Sequence, residues 1–261
     1  MPLGKCKLCE KQRNLQKSHL IPRAAFAICR ATDAKNPNPL MVTHFLAMQT
    51  SRQTKWPLLC FGCEQLLREK GEDWVLPQLA RHRGPFLLAE KLEATTALFN
   101  EPDFIAYNLD SSTTIRVADL THFAMGIYYK AAVHSWLGST TEPWIQLGAR
   151  TEGVRKYLLG EEEFPKEMAL TLAVLPRARA IISFYFPFET IPAPGYRTFH
   201  FYIAGLNYTL WVGPQIPYEP SRACLSAKPN SVLVFDCAKE ILKRFKDAYA
   251  DARFVAQSRK Q

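Results

Sequence analysis

The chain has 261 residues, of which 48% are hydrophobic and 22% are charged, and its formal net charge is +9. This composition supplies enough apolar side chains for a packed core and excludes a mainly disordered chain. There is no apolar run of about 18 residues and no N-terminal signal segment, so we expect a cytoplasmic protein with no membrane partner. The basic excess favours an anionic partner, with nucleic acid ahead of a membrane surface.

Seven cysteines are present, and four of them form two Cys-x-x-Cys pairs. The pairs are Cys6 with Cys9 and Cys60 with Cys63, and the scattered residues are Cys29, Cys224 and Cys237. An odd number in a chain without a signal segment argues against a disulfide framework. A redox dithiol, the alternative, usually occurs singly on a thioredoxin-like frame. Two pairs can instead supply four thiolates to one tetrahedral zinc ion, so we predict a structural zinc site that is closed to catalytic water.

Residues 1–85 are predicted to form a zinc-binding module, because both cysteine pairs and many basic residues lie there. A short helix is expected over residues 22–29, since proline suits the first turn of a helix. A second helix is predicted over residues 64–70, directly after the second cysteine pair, and Gly71 is expected to end it. A cysteine turn combined with a second pair at a helix start predicts a treble-clef arrangement.

Residues 86–102 are predicted to form a connecting helix that ends near the proline at its C-terminal limit. Residues 103–261 are predicted to form an α+β domain with an antiparallel sheet. The predicted helices cover residues 114–137, 147–159 and 239–254, and the predicted strands cover 169–175, 180–186, 198–203, 208–212 and 232–235. The third and fourth strands are expected to form a hairpin. The fold class is therefore α+β, with a zinc-bound module before a larger domain.

Three motifs follow one another along residues 6–75. They are Cys6-Lys7-Leu8-Cys9, Ser18-His19-Leu20-Ile21-Pro22 and Leu58-Leu59-Cys60-Phe61-Gly62-Cys63-Glu64-Gln65. Their order resembles that of the HNH (ββα-metal) endonucleases. Together with Gly71-Glu72-Asp73-Trp74-Val75, the third motif also resembles a group of uncharacterised bacterial HNH-like proteins that are similar along most of their length. The resemblance implies a metal-dependent nuclease that acts on DNA.

The resemblance also implies roles for individual residues. His19 would be the general base, which takes a proton from the water that attacks a phosphodiester. Glu64, directly after the last cysteine, would be a ligand of a catalytic Mg²⁺ or Mn²⁺ ion, because hard cations prefer carboxylate oxygen. Ser18 stands where the family has a metal-binding Asp or Glu, and its hydroxyl would be a weaker, neutral ligand. Glu72 or Asp73 would supply a second carboxylate.

Arg23, four residues after His19, is the residue that we expect to contact a phosphate of the substrate. Other interpretations remain open for each of these residues. A histidine in this context can be a packed or surface residue, and Glu64 can be an acidic residue that the dipole favours at a helix start. The aromatic residues of the predicted strands are expected to form a core face rather than to stack on bases.

The leading expectation is therefore an HNH-like nuclease with a structural Zn²⁺ ion and a catalytic Mg²⁺ or Mn²⁺ ion. The resemblance also carries the expectation of a role in bacterial defence against phage. One alternative is a zinc-binding protein that is catalytically weakened at Ser18 and binds nucleic acid. The other is a structural subunit that docks onto a larger protein effector.

Overall fold

The computed structural model describes most of the chain. The described residues are 1–30, 38, 40–42, 47–49, 53–101, 104–110, 112–136, 143–190, 192–227, 230–235, 237–244 and 246–247. They form an α+β fold, as predicted, with one three-stranded and one nine-stranded sheet.

The strands are β1 (Leu3–Lys5), β2 (Gln12–His19), β3 (Leu40–Val42), β4 (Ala47–Gln49), β5 (Lys55–Cys60), β6 (Ala97–Asn100), β7 (Phe104–Asn108), β8 (Met168–Val174), β9 (Phe184–Glu189), β10 (Arg197–Ile203), β11 (Leu206–Val212) and β12 (Ser231–Phe235). The helices are α1 (Arg23–Ile28), α2 (Phe61–Leu67), α3 (Asp73–Gln78), α4 (Leu87–Glu93), α5 (Val117–Val133), α6 (Thr151–Leu159) and α7 (Tyr218–Arg222). Shorter helical turns are Arg68–Glu72, which is π-helical, and Gly148–Arg150 and Arg177–Arg179, which are 3₁₀ turns.

The small sheet contains β1, β2 and β5 in that order, and both pairings are antiparallel. The first cysteine pair lies in the turn between β1 and β2. At the far end of β2, Ser18 pairs with Trp56 and His19 pairs with Lys55 on β5. β5 then runs directly into α2, so the second cysteine pair spans the junction between a strand and a helix.

The large sheet has the order β4-β3-β9-β10-β11-β8-β12-β7-β6. Most of its pairs are antiparallel, as predicted, but β3 with β9 and β12 with β8 are parallel, so the sheet is mixed. β3 and β4 belong to the predicted zinc-binding module. They nevertheless pair within the sheet of the predicted C-terminal domain. One hydrophobic core also takes residues from both segments, for example Leu8, Leu67, Phe123 and Tyr208. The division of the chain near residues 85 and 102 into folding units stays a prediction.

The hairpin of β10 and β11 is confirmed, with seven paired positions around a two-residue turn. The turn residues Ala204 and Gly205 have φ angles of +37° and +95°. Positive φ at both central residues matches the right-handed twist of the strands that a two-residue hairpin joins. Phe199 and Phe201 alternate with polar neighbours and face the core against α5, where the Tyr128 hydroxyl donates to the carbonyl of Phe199.

The helix that follows the second cysteine pair is longer than predicted, because Gly71 does not end it. It continues from α2 through the π-helical turn into α3. A Cβ atom at Gly71 would lie 2.9 Å from the backbone nitrogen and Cα of Phe123 in α5. The lack of a side chain at Gly71 therefore lets two helix backbones approach closely. In the sequence alone, such a glycine looks the same as one that ends a helix.

Other element boundaries also differ from the predictions. The predicted connecting helix over residues 86–102 is shorter, since α4 ends at Glu93 and Ala97–Asn100 form an edge strand that pairs with β7. The strand predicted over residues 180–186 begins only at Phe184, because a 3₁₀ turn precedes it. In the predicted closing helix, residues 238–244 and 246–247 are helical, and the rest lies outside the described residues.

Candidate metal centre and an adjacent charged cluster

The four paired cysteines come together at one point. Their Sγ atoms all lie within 4.8 Å of one another, and the Cys9 and Cys60 sulfurs are 3.8 Å apart. In a tetrahedral site with Zn–S bonds of about 2.3 Å, neighbouring sulfurs are about 3.8 Å apart. The separation therefore fits a zinc ion, and this cluster can hold a metal ion such as zinc.

The local backbone explains why these cysteines converge. The amide of Glu10 donates to the carbonyl of Cys6 at 2.9 Å, and Glu10 itself is left-handed, with φ at +59°. This tight turn places Cys6 and Cys9 on one side of a possible ion. The amide of Cys60 donates to the Cys6 sulfur at 3.3 Å, and Cys63 follows in the first turn of α2.

The thiols of this cluster have opposite protonation tendencies. The hydrogen bond from the Cys63 thiol lowers the pKa of Cys6 to about 4, although burial acts against this. The same hydrogen bond raises the pKa of Cys63, and burial raises it further. Four thiolates this close would repel one another, so a bound cation is required before all four can ionise.

Two helices from the C-terminal segment support the first cysteine turn. The Tyr129 hydroxyl of α5 donates to the carbonyl of Lys7. The guanidinium of Arg155, in α6, donates to the carbonyl of Leu8 at 3.0 Å. The carbonyl groups between the two cysteines are thus bonded to the body of the protein, and the turn is fixed from outside.

A second group of polar side chains lies at the other end of β2. His19 is half-buried, and burial lowers its pKa, while the charges of Lys130 and Lys55 act in the same direction. A hydrogen bond with Gln53 and the charge of Glu64 oppose that shift. The imidazole is therefore neutral near pH 7 and has a lone pair that can accept a proton.

Two carboxylates and one ammonium group share this region. Lys130, on α5, is 2% exposed, and its Nζ lies 3.9 Å from Oε1 of Glu72. Burial raises the pKa of Glu72; the charge of Lys130 counteracts this, and that of Glu64 adds to it. Oε1 of Glu64 is buried and has no hydrogen-bond partner among the described residues. We call His19, Glu64, Glu72 and Lys130 the charged cluster.

The charged cluster is not a preformed ligand set. Among the described residues, the four cysteines are the only group of three or more His, Cys, Asp or Glu residues close enough to share one ion. Glu64 and Glu72 influence each other through their charges, but Lys130 supplies the nearby positive charge. The arrangement can offer a proton acceptor, two carboxylates and an internal cation.

Ser18 is not part of the charged cluster. It is 1% exposed, and its Oγ accepts the amide of Leu59 at 3.1 Å. Because neighbouring residues in a strand point to opposite faces, Ser18 faces away from His19. The hydroxyl of Ser18 stabilises the pairing of β2 with β5. It does not lie on the face of the sheet that carries the imidazole of His19.

The remaining predicted residues lie near the surface. Arg23 is exposed in the first turn of α1. Asp73 is exposed and forms an ion pair with Arg68 at 3.7 Å, so it is an external residue beside the more buried Glu72. His82, for which no role is predicted, is also exposed, and its Nε2 donates to the carbonyl of Cys29 at 3.4 Å.

Lys130 is the member of the charged cluster that the sequence interpretation missed. It lies in the predicted helix over residues 114–137, within the run Tyr128-Tyr129-Lys130-Ala131. Fourteen of the seventeen residues of α5 are buried, Lys130 among them. A single lysine in the otherwise apolar run over residues 123–133 was the available signal, since lysine is almost never fully buried without a partner,.

Comparisons with protein-family models, with curated proteins and with solved structures found no match to this chain. Across the described residues, none of the helices combines the length and the apolar character that a membrane crossing requires. Fold and site thus define an α+β protein with a four-cysteine cluster that can hold a metal ion.

Proposed function

We propose that this protein is an HNH-like, metal-dependent endonuclease whose zinc-bound module has the treble-clef arrangement. One observation carries the proposal: no donor in the described part of the chain reaches the buried Oε1 of Glu64, and the charge of Glu64 acts on both His19 and Glu72. A buried carboxylate oxygen without a donor is costly, so its presence favours a cation that is bound during function. Such a carboxylate beside a neutral imidazole suits hydrolysis of a phosphodiester.

The order of elements supports the same proposal. β2 and β5 are antiparallel, and α2 follows β5 immediately, which is the ββα layout that the resemblance implies. The cysteine cluster lies at one end of β2 and His19 lies at the other. Four thiolates would fill the zinc coordination sphere, so the zinc ion would stabilise the module and take no part in the reaction.

In the proposed reaction, His19 accepts the proton of the water that attacks the phosphorus. Its lowered pKa keeps the imidazole neutral at the working pH,. Glu64 and Glu72 would hold the Mg²⁺ or Mn²⁺ ion, which would neutralise charge on the phosphate and on the leaving oxygen. The ammonium of Lys130 limits the repulsion between the two carboxylates.

DNA is the proposed substrate, and defence against phage is the proposed setting. The chain carries a formal net charge of +9, which favours a polyanion,. Arg23, exposed four residues after His19, is the proposed phosphate contact on α1. Both assignments follow the resemblance to HNH proteins.

The experiment is a cleavage assay on plasmid and single-stranded DNA with added Mg²⁺, added Mn²⁺ or EDTA. We expect cleavage with either metal and none with EDTA. His19→Ala should lower the rate by about 10²- to 10⁴-fold, whereas the exposed control His82→Ala should cleave normally. Glu64→Gln should raise the metal concentration needed for half-maximal rate. Undiminished cleavage by His19→Ala would exclude His19 as the base.

A second function, binding without cleavage, is favoured by Lys130. Its ammonium already provides a positive charge beside Glu72, where a catalytic ion would be needed. The protein would then bind nucleic acid or serve as a subunit of a larger protein effector. The same assay distinguishes the two functions, because DNA binding without cleavage under any metal condition supports this one.

A further inference from the structure

The indole of Trp56 is an exposed aromatic surface on β5, the strand that pairs with the proposed catalytic histidine. Trp56 is 55% exposed, although tryptophan is largely buried in most proteins,. It lies on β5, an edge strand of the small sheet, directly after Lys55. In the register of the sheet, Lys55 is the cross-strand neighbour of His19 and Trp56 is the neighbour of Ser18.

Trp56 is held in place by an aromatic stack. Its ring lies 5.1 Å from that of His134 at an interplanar angle of 27°, and His134 contacts Trp136 edge-on at 5.1 Å. Trp136 is 8% exposed, and its Nε1 donates to the carbonyl of Lys130 at 2.8 Å. The stack joins the exposed ring to the helix that contributes to the charged cluster. A ring that is already fixed loses little conformational entropy when a ligand stacks on it.

The surroundings of Trp56 are basic. Lys55 and Lys7 are exposed, and the charge of Lys7 adds to the effect of burial in lowering the pKa of His134. Lys17 is also exposed and lies two residues before His19 on β2, so it shares the face of His19,. Within the described part of the chain, no carboxylate forms an ion pair with Lys7, Lys17 or Lys55.

A single exposed aromatic residue is common on protein surfaces and does not mark a site by itself. A fixed aromatic ring is different when the lysines around it form no ion pair with any described carboxylate, because it then meets both requirements of single-stranded nucleic acid. Bases stack on the ring, and phosphates are neutralised by the ammonium groups. A base inside a duplex is already stacked on its neighbours, so the ring favours unpaired bases over paired ones.

We propose that Trp56 stacks on an unpaired base of single-stranded DNA whose phosphates contact Lys7, Lys17 and Lys55. This rests on the proposed nuclease function, since it places the strand across the edge of β5 beside His19. Lys17 and Lys55 contact phosphates on the face of His19, and Trp56 takes a base on the opposite face. The substrate class is therefore DNA with an unpaired segment, rather than fully paired duplex.

The test is binding of a fluorescein-labelled 12-nucleotide oligothymidine to the full chain, measured by anisotropy in buffer without added Mg²⁺ or Mn²⁺. Trp56→Ala should raise Kd by roughly 5- to 150-fold, which corresponds to the loss of one stacked base. Trp56→Phe keeps a ring and should lose less than Trp56→Ala. Lys55→Gln should lower the slope of log K against log salt by about 0.7, the value for one phosphate contact on a single strand.

The matched control is Tyr218→Ala, since Tyr218 is 70% exposed and contacts Arg222 on α7. Its Kd should equal that of the unmodified chain. An oligothymidine that does not bind, a Trp56→Ala variant that binds normally, or an equal loss in the control would each overturn the inference. If binding depends on Trp56 but no cleavage occurs, only the nuclease proposal is refuted. If cleavage depends on His19 but Trp56→Ala binds normally, only the proposal of base stacking on Trp56 is refuted.

Discussion

The ammonium of Lys130 and the carboxylate of Glu72 form a largely buried ion pair, with 3.9 Å between Nζ and Oε1. Lys130 comes from α5 and Glu72 from the turn between α2 and α3, so the pair joins the two predicted segments of the chain. A charge that is buried with a partner becomes very costly when that partner is removed.

Removing the ammonium should therefore strongly destabilise the protein. We expect Lys130→Met to lower the free energy of unfolding by about 3–5 kcal/mol, because Glu72 is left with an unpaired charge. The double variant Lys130→Met/Glu72→Gln should recover part of the loss, as urea denaturation can measure. Lys5→Met, in the exposed pair with Glu10, serves as the control and should cost less than about 1 kcal/mol,. Additive losses in the double variant would contradict the coupling.

Loss of one cysteine of the cluster should remove the metal ion. We expect the purified protein to contain one zinc ion per chain and Cys63→Ser to contain none, as mass spectrometry of the metal can show. The melting temperature should fall as well, since the binding energy of structural zinc contributes to folding. Cys29→Ala, a buried cysteine outside the cluster, should keep its zinc. A Cys63→Ser variant with a full zinc content would refute the four-cysteine site.

A methyl group at residue 71 should push two helices apart. In Gly71→Ala the added Cβ would lie 2.9 Å from the backbone of Phe123, which cannot move aside as a flexible side chain can. We expect a loss of about 1–3 kcal/mol in the free energy of unfolding. Gly153→Ala is the matched control in α6, where the Cβ would make ordinary contact with Pro165 at 3.6 Å. That change should be neutral or stabilising, because alanine favours helix more than glycine does.

His200 should make the stability dependent on pH. Burial lowers its pKa to about 3, and Arg244 acts in the same direction. The unfolded chain has a histidine pKa of about 6.5, so it binds more protons than the folded protein between these two values. The free energy of unfolding should therefore fall as the pH falls from 6.5 towards 3, by at most about 1.4 kcal/mol per pH unit.

The variant His200→Gln isolates this contribution. Glutamine can keep a hydrogen bond with Thr209, whose Oγ1 lies 2.9 Å from Nδ1 of His200, but it does not titrate. Urea denaturation at several pH values should show a smaller slope for the variant between pH 4 and about 6.5. Equal slopes in the two proteins would assign the pH dependence to other groups.

Local signals in the sequence were sufficient for many parts of the fold. The spacing of the cysteine pairs predicts their convergence. The alternation of apolar residues predicts the ends of β10 and β11, while β10 begins one residue and β11 two residues before the predicted start. Long-range pairing was not accessible in this way. The pairing of β3 with β9 depends on which edge of the sheet is free to accept another strand. The sequence of residues 40–42 alone does not indicate which edge that is.

The candidate site was predictable to a similar degree. Motif order predicts roles for His19 and Glu64, because the resemblance is local in sequence, and these roles stay predictions. The orientation of Ser18 follows from the alternation of side chains along β2. The sequence did not show which face Ser18 takes; the observed pairing of β2 with β5 does. Lys130 lies 58 residues after its partner Glu72 in sequence, and its role depends on the packing of α5 against the turn that contains Glu72.

The π-helical turn Arg68–Glu72 sets the angular phase between Glu64 and Glu72. Eight residues of regular α-helix would rotate one carboxylate about 80° away from the other. A π-helical turn accommodates one surplus residue, so the rotation becomes that of seven residues, and the two side chains differ by only about 20°. Deleting a single residue in this turn would leave seven residues of regular α-helix from one glutamate to the other, so Glu72 would stay in line with Glu64. At their actual spacing of eight residues, the alignment of the two glutamates therefore depends on the surplus residue of the π-helical turn.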